Sequence, residues 1–445
     1  MAMVVKNNLG ATRTLNTLNK NEKARDKSLA RTSSGMKINS AQDDASGYAI
    51  SERMRVRIRA LDQANQNTQN DAALMRTAGG AVDNTVEILR ALKEKAINAA
   101  NDANTDEDRY ILQKEAHQLI DQINDNALAQ FNGKYLIDGT RNYAPQSTRT
   151  VLLNQSLATN TLVNAGPTYA ITKYKNRAGD SLEIQSSDRY EVSWVINGVT
   201  STVSGQVGDK SFIDIVPHAN NTQVAPVNAT QANKGKIDVI QNKFGQQIYT
   251  PDNTAGIAVT SHSSFPGTEH QVDGFTISIT DDKGNVKKTA NAALNDFHLY
   301  QRAENKTDGD GSLTFQVGSE ANVAIKVALT DMRAHALGLE GKDGNKLLFV
   351  PKENANAAIN VFNNAIEMAL DQSTSIGAVL SRLDYTSANL TTASENVQAS
   401  ESTIRDADMA KEMTEYTKNN VLMQAAQAML AQANQSSSAV ISLLQ

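Results

Sequence analysis

The chain has 445 residues, a net charge of -5, 5% aromatic residues and no cysteine. That length suffices for more than one folding unit, and the missing thiols exclude disulfides, thiolate metal sites and cysteine nucleophiles. A balance of 43 basic against 48 acidic residues is not that of a nucleic-acid polycation, and no stretch approaches the roughly 18 apolar residues that would span a bilayer.

Residues 1–60 are locally basic, with twelve Lys or Arg against five Asp or Glu. No nucleic-acid module or interleaved aromatics accompany this excess, so it reads as a solvated or subunit-facing helix. Residues 1–20 lack the continuous apolar core of a secretory signal, so departure from the cell would need another export route. Residues 4–33 carry Val5, Leu9, Leu15, Leu18 and Leu29, a thin helical stripe. Such a helix is marginal in water without a partner and is expected to order on assembly.

A step of seven from Met54 gives Leu61, Thr68, Met75, Val82, Leu89 and Ala96, with Ile58, Ala72 and Val86 as companions. This heptad stripe predicts one helix over 50–96, roughly 70 Å long. Gly79 and Gly80 interrupt it, each costing about 1 kcal/mol relative to Ala. Thr105, with a carboxylate at Asp108, reads as the capping box of a third helix. Its stripe is Leu112, Ala116, Leu119 and Ile123. Gly133 closes a short turn after it.

From 145 to 350 alternation replaces the helical stripe. Tyr190 to Val203 predicts a hairpin around Asn197-Gly198, and Phe275 to Val286 a second one turning at Lys283-Gly284-Asn285. Leu313 to Leu329 alternates again. Beyond it, a step of seven from Phe362 gives Ala369, Ile376, Leu383, Leu390, Val397 and Ile404, flanked by Ile366 and Leu380. Neither long stripe can bury itself, so the two are expected to pack on each other and bring distant parts of the chain together. Residues 406–434 form a second weak tail with Met409, Met413, Tyr416, Leu422, Ala426, Met429 and Ala433. The fold class is therefore mainly α, a long antiparallel helical bundle or coiled coil built from both ends, with a β-rich insertion. The expected division is 1–43 with 406–445 as a terminal coiled-coil part, 44–144 with 313–405 as a bundle, and 145–312 as a variable β-rich part.

The run Ser33-Ser-Gly-Met-Lys-Ile-Asn-Ser-Ala-Gln-Asp-Asp-Ala-Ser-Gly-Tyr-Ala-Ile-Ser-Glu-Arg-Met54 resembles the amino-terminal signature of bacterial flagellins. The resemblance continues through Leu61 to Asn70 and Asn84 to Asn101. It returns in Asp331-Met-Arg-Ala-His-Ala-Leu-Gly338, in Ala388 to Asp408, in Leu430-Ala-Gln-Ala-Asn-Gln435 and in Ser442-Leu-Leu-Gln445. It implies a non-enzymatic, extracellular filament subunit without cofactor or metal, exported unfolded through the flagellar channel. Implied partners are further flagellin subunits, an export chaperone, the cap protein and the hook-associated junction protein, with no nucleic acid and no membrane insertion. The alternative is the hook-filament junction protein itself, which shares the terminal pattern. The seam residues are then Met54, Leu61, Met75, Val82, Leu89, Phe362, Ile376, Leu383, Leu390 and Val397. The assembly residues of the tails are Leu15, Leu18, Leu29, Leu422, Met429, Leu443 and Leu444.

The sequence departs from the flagellin pattern at Glu22, Lys23, Arg25, Asp26 and Lys27, where small or apolar residues are usual. Charges at 22 and 25 fall on the Leu15-Leu18-Leu29 face, where burial without partners would be costly. The segment Leu89-Arg90-Ala91-Leu92-Lys93-Glu94-Lys95-Ala96-Ile97 resembles the stretch that the vertebrate flagellin-sensing Toll-like receptor reads. Strongly recognised relatives carry Arg where Ala91 stands and Leu where Lys95 stands, so weakened signalling is expected.

Chemistry is sparse. Some flagellins carry an inserted protease, but no His-Glu-x-x-His run occurs among His117, His218, His262, His270, His298 and His335. His262, Glu269 and His270 read as loop residues rather than a metal site. Asp308-Gly-Asp310-Gly lacks the later bidentate Glu of a calcium loop. There is no nucleophile elbow. Arg53, Arg55, Arg57 and Arg59 spread around a helix, suited either to acidic groups on neighbouring subunits or to solvent.

Overall fold

The computed structural model describes residues 8–143, 147–154, 156–158, 170–176, 180–216, 224–228, 236–241, 247–249, 257–261, 267–306 and 309–443. Two compact units divide the chain. One comprises Met1–Thr68, Gln316–Val323 and Tyr385–Gln445; the other comprises Gln69–Phe315 and Ala324–Asp384.

In the first unit, helix α1 (Leu9–Ser34) starts where the Asn8 side chain accepts the Ala11 N–H. It ends at Gly35, whose φ of 74° is the left-handed conformation that glycine adopts without penalty. The last helix, here α7 (Met409–Leu443), packs along α1. The same unit holds the start of α2 (Ala45–Ala99) and the end of α6 (Lys352–Arg405). There Leu61, Ala64 and Leu390 bury one another, with Ala393 and Val397 against them. Thr68, on the expected stripe, is buried because its hydroxyl donates back to the Ala64 carbonyl.

In the second unit α2 continues the heptad. Met75, Val82, Leu89 and Ala96 are all fully buried, as are Phe362, Ala369 and Leu383 on α6. Gly79 faces Ile376, and Ser373 donates to Asp83 at 3.0 Å, so the two helices run antiparallel there. Helix α3 (Asp106–Ala127) opens on the expected capping box, with Thr105 and Asp108 satisfying each other's backbone N–H groups. Its buried face differs from the expected stripe. It runs through Arg109, Gln113, Ala116, Ile120, Ile123 and Ala127, while Leu112 and Leu119 are half-buried. Two polar residues hold this face because each meets orphaned backbone groups. Arg109 donates to the Ala99 and Asn101 carbonyls at the end of α2, and Gln113 accepts the Phe349 N–H. Beyond α3, β1 (Gln130–Phe131) and β2 (Lys134–Tyr135) close around Asn132 and Gly133, both at positive φ.

The β-rich part of this unit has two main sheets, besides the pairs β4 (Leu157–Ala158) with β5 (Lys175–Asn176) and β9 (Lys236–Gln241) with β10 (Gln247–Tyr249) and the short helix α4 (Phe212–Ile215). β3 (Val151–Asn154), β8 (Val224–Asn228), β11 (Ile257–Ser261) and β13 (Phe297–Gln301) form one, in the order β13-β3-β11-β8. The other has the order β12-β6-β7, from β6 (Arg189–Ile196), β7 (Val199–Gln206) and β12 (Val272–Thr280). The β6–β7 hairpin turns at Asn197 and Gly198, with φ of 53° and 72°, as two-residue hairpins with the twist of their strands require. Trp194, Phe212 and Phe275 anchor a shared core, Phe275 standing edge-on to Phe297.

The second expected hairpin turns where expected, with Gly284 at φ 85° and the Asp281 N–H donating to the Asn285 carbonyl at 2.9 Å, but its return strand is cut short. After the turn Val286 bridges Thr280 and the Lys287 N–H donates to the Ile279 carbonyl at 3.1 Å, and the chain then enters helix α5 (Lys288–Leu294). Asn291 accepts the Ile279 N–H and Asn295 the Ile277 N–H, each at 2.7 Å, so two amides cover the edge that a return strand would have taken. The alternation from Leu313 becomes β14 (Leu313–Gln316) paired with β15 (Ala324–Val327).

Candidate assembly surfaces

The contact between α1 and α7 uses small and polar side chains. Asn21 donates to the Leu422 carbonyl at 3.2 Å, Asn419 to Ser28 at 3.4 Å, and Arg31 to Glu412 at 3.2 Å. Leu18 is half-buried, but Leu9, Leu15 and Leu29 stand outside the contact, Leu15 and Leu29 being 45% and 48% exposed. On α7, Met409, Met413, Val421, Leu422 and Met429 are likewise exposed. The pair thus carries leucine, valine and methionine side chains that it does not bury itself. The side chain of Leu443 and the whole of Leu444 lie outside the described residues.

Four of the five charges in the stretch 22–27 are already paired. Arg25 meets Asp26 at 2.6 Å and Glu22 at 3.9 Å, and its Nη1 lies 3.0 Å from the Met423 sulfur. Lys27 meets Asp43 at 2.9 Å and holds that carboxyl below its usual range. The face expected through Leu15, Leu18, Glu22, Arg25 and Leu29 is split. Leu18 and Arg25 are half-buried, while Leu15, Glu22 and Leu29 remain in solvent.

The ten seam residues fall into two sets. Leu61, Leu390 and Val397 meet in the first unit, where Met54 is half-buried. In the second unit Met75, Val82, Leu89, Ile376 and Leu383 are buried, and Phe362 stacks edge-on against Phe349 with centroids 6.2 Å apart. Hydrophilic rungs flank the first set, Ser394 donating to Asp62 at 2.9 Å and Ser387 to Asn65 at 2.6 Å. Such short polar partners let two helices approach closely while fixing their register.

Sequence reasoning missed the junction at Arg405. Its backbone carbonyl accepts the Lys37 N–H at 2.7 Å, while the Ala407 N–H donates to Gly35 at 2.9 Å. Its guanidinium lies over the Tyr48 ring. The only legible sign was an arginine closing a long stripe, since its partners are hundreds of residues away. Of the alternating arginines, Arg55 meets Glu52 at 3.4 Å and Glu401 at 3.8 Å; Arg53, Arg57 and Arg59 are exposed.

In the candidate receptor-facing segment, Leu89 is fully buried in the seam. Arg90 and Glu94 are exposed; Ala91, Lys93 and Lys95 are half-buried. Arg90 pairs with Glu87 at 2.5 Å and Lys95 with Glu115 at 2.6 Å.

Among the described histidines His335 meets a hydroxyl, its Nε2 lying 3.4 Å from Thr268 Oγ1. His117 lies 3.0 Å from the Leu347 carbonyl, His335 3.1 Å from that of Glu340, and His298 3.2 Å from Asp296. His218, His262 and Asp308 lie outside the described residues. Asp310 is a turn residue, held down to about 2 by Ser312 and Lys326. Among the described residues no group of three acids or histidines could hold a metal, and no helix is long and apolar enough to cross a membrane.

Residues 5–142 match the family described as the bacterial flagellin N-terminal helical region, and residues 359–444 match its C-terminal helical region. The chain is 31% identical over 437 residues to a flagellin of Clostridium tyrobutyricum, covering 97% of this chain and 99% of that protein. It is 28% identical over 462 residues to a flagellin of Bacillus subtilis, covering 99% and 100%. A solved structure, flagellar hook associated protein-3 of Legionella pneumophila, is similar at 15% identity and a TM-score of 0.33, over 78% of this chain and 97% of that one.

Proposed function

The chain belongs to the bacterial flagellin family, and from that premise we propose how this structural subunit of the extracellular flagellar filament assembles. It polymerises with further flagellin subunits through its two ends. The observation that carries the reading is the set of apolar side chains left outside the α1–α7 contact, Leu15, Leu29, Val421 and Met429 among them. A helix pair that fully buries little beyond Ser28 and Ala426 gains little from its own contact. Docking against other copies gives those side chains a place to be buried, so the tails order on assembly. On this reading 1–43 and 406–445 form the inner core of the filament, 44–144 and 313–405 the bundle around it, and 145–312 faces outward. Export proceeds unfolded through the flagellar channel with a chaperone, and growth proceeds beneath a cap protein on a hook-associated junction. The exposed and half-buried residues from Arg90 to Lys95 are open to the vertebrate receptor in the monomer, with signalling weakened at Ala91 and Lys95.

The missing cysteines make a direct test available. Leu29→Cys and Lys283→Cys are each expected to react with a maleimide in monomer. In filament only the Lys283→Cys variant is expected to react. Equal labelling of both in filament would overturn the inner placement of α1.

A further inference from the structure

We propose that a pocket between the end of β13 with the segment after it and helix α6 binds an alkyl cation, a primary ammonium or guanidinium carried on a short methylene chain. The pocket has a volume of about 380 Å³ and lies wholly within the second unit. Leu299 and the nearly buried Met368 give it apolar wall, and the Tyr300 ring adds an aromatic surface. Its charged lining is Arg302, Glu304, Glu367 and Asp371, three carboxylates against one guanidinium. Glu304 is only 5% exposed, and its Oε2 is buried without a hydrogen-bond partner. Its other oxygen forms a loose ion pair with Arg302 Nε at 3.9 Å, beyond hydrogen-bond distance, and that Nε is itself buried without a hydrogen-bond partner. Arg302 meanwhile donates from Nη2 to the Asp331 carbonyl at 3.0 Å, so its fork is turned partly away from Glu304.

A buried carboxylate oxygen without a hydrogen-bond donor is costly unless a cation with N–H groups meets it. Glu367 and Asp371 stand exposed at the mouth, four residues apart on one face of α6, where they attract positive charge. The excess of carboxylates disfavours an anion. The volume far exceeds that of a bare metal ion, and one buried carboxylate is too few ligands for one. Apolar wall beside an aromatic ring suits methylenes and a cationic head together.

The test is titration of n-butylguanidinium and n-butylammonium into the full-length chain in physiological salt. Calorimetry and the methyl resonance of Met368, assigned with Met368→Leu, report binding. Saturable binding that moves that resonance is expected. At least tenfold weaker binding is expected for Glu304→Gln, and also for Glu367→Gln with Asp371→Asn, a surface pair whose loss leaves the fold intact. The neutral analogue n-butanol is expected to leave the resonance unmoved. Equal binding of n-butanol, full affinity in the surface pair variant, or no movement at Met368 would each overturn the proposal. A further arm separates two sources of the same chemistry. Slower seeded polymerisation with saturating n-butylguanidinium assigns the pocket to an arginine or lysine of a second copy; unchanged growth assigns it to a free amine.

Discussion

Arg405 donates from Nη1 to Glu52 Oε1 at 2.6 Å, tying the last turn of α6 to the first turns of α2. The guanidinium is nearly buried and the carboxylate half-exposed. The hydrogen bond from Arg405 is the leading cause that holds Glu52 below its ordinary 4.5. A carboxyl depressed in the folded state stabilises it fully above the unfolded value, and that contribution is lost as pH falls through the folded one. We therefore expect Glu52→Gln to lower the melting temperature at pH 7, with the difference from wild type shrinking below pH 4.5. A difference that grew on acidification would contradict this role.

Asp71 has the opposite sign. Burial alone raises its carboxyl to about 6, and its Oδ2 is buried without a hydrogen-bond partner. Its charged form costs stability above that value, and the cost is relieved as pH falls through about 6. Asp71→Asn is expected to raise the melting temperature at pH 8 and to lose that advantage between pH 6 and 4. Thermal scans across that range decide it.

Gly79 and Gly80 stand in mid-helix for different reasons. A methyl group on Gly79 would touch Ile376 at 3.4 Å, whereas one on Gly80 would meet nothing within 4 Å. Gly80→Ala is expected to stabilise the chain by about 1 kcal/mol. Gly79→Ala is expected to give less. Denaturant unfolding of the two variants distinguishes them, and a larger gain at Gly79 would contradict the close approach.

Leucines of the seam and of the tails should behave differently. Leu89→Ala empties a fully buried site and is expected to cost about 2–5 kcal/mol. Leu29→Ala, nearly half exposed, is expected to stay within about 0.5 kcal/mol in the monomer. Its effect should appear in assembly instead, as a critical concentration for seeded growth raised at least tenfold.

Receptor signalling gives a gain-of-function test. The variant carrying Ala91→Arg and Lys95→Leu supplies an arginine anchor and an apolar anchor, and frees Glu115 from its lysine. We expect reporter cells to respond to it with at least tenfold greater potency than to the unmodified chain. Equal potency would sink the assignment.

The helical architecture was legible because a step of seven is a local signal. From Leu61 to Ala96 every stripe residue is buried, Thr68 included. The Thr105 cap and the Asn197-Gly198 turn were legible for the same reason, each being fixed by residues next to it. The early end of the second hairpin's return strand was not, because its place is taken by Asn291 and Asn295, ordinary-looking residues whose amides reach back to β12. Nor was the outward aim of Leu15 and Leu29, since an apolar residue on a helix gives no sign of whether its partner lies in its own chain. The pairing of Lys27 with Asp43 and the pocket around Glu304 depend on contacts that no spacing in the sequence encodes.

Seeded polymerisation of purified chain, viewed by electron microscopy, bears most directly on assembly through the two ends. The control is a chain lacking residues 1–30 and 410–445. Long filaments from the intact chain and none from the truncated one are expected. Filaments of equal length from both would contradict the account, since α1 and α7 would then contribute nothing to growth.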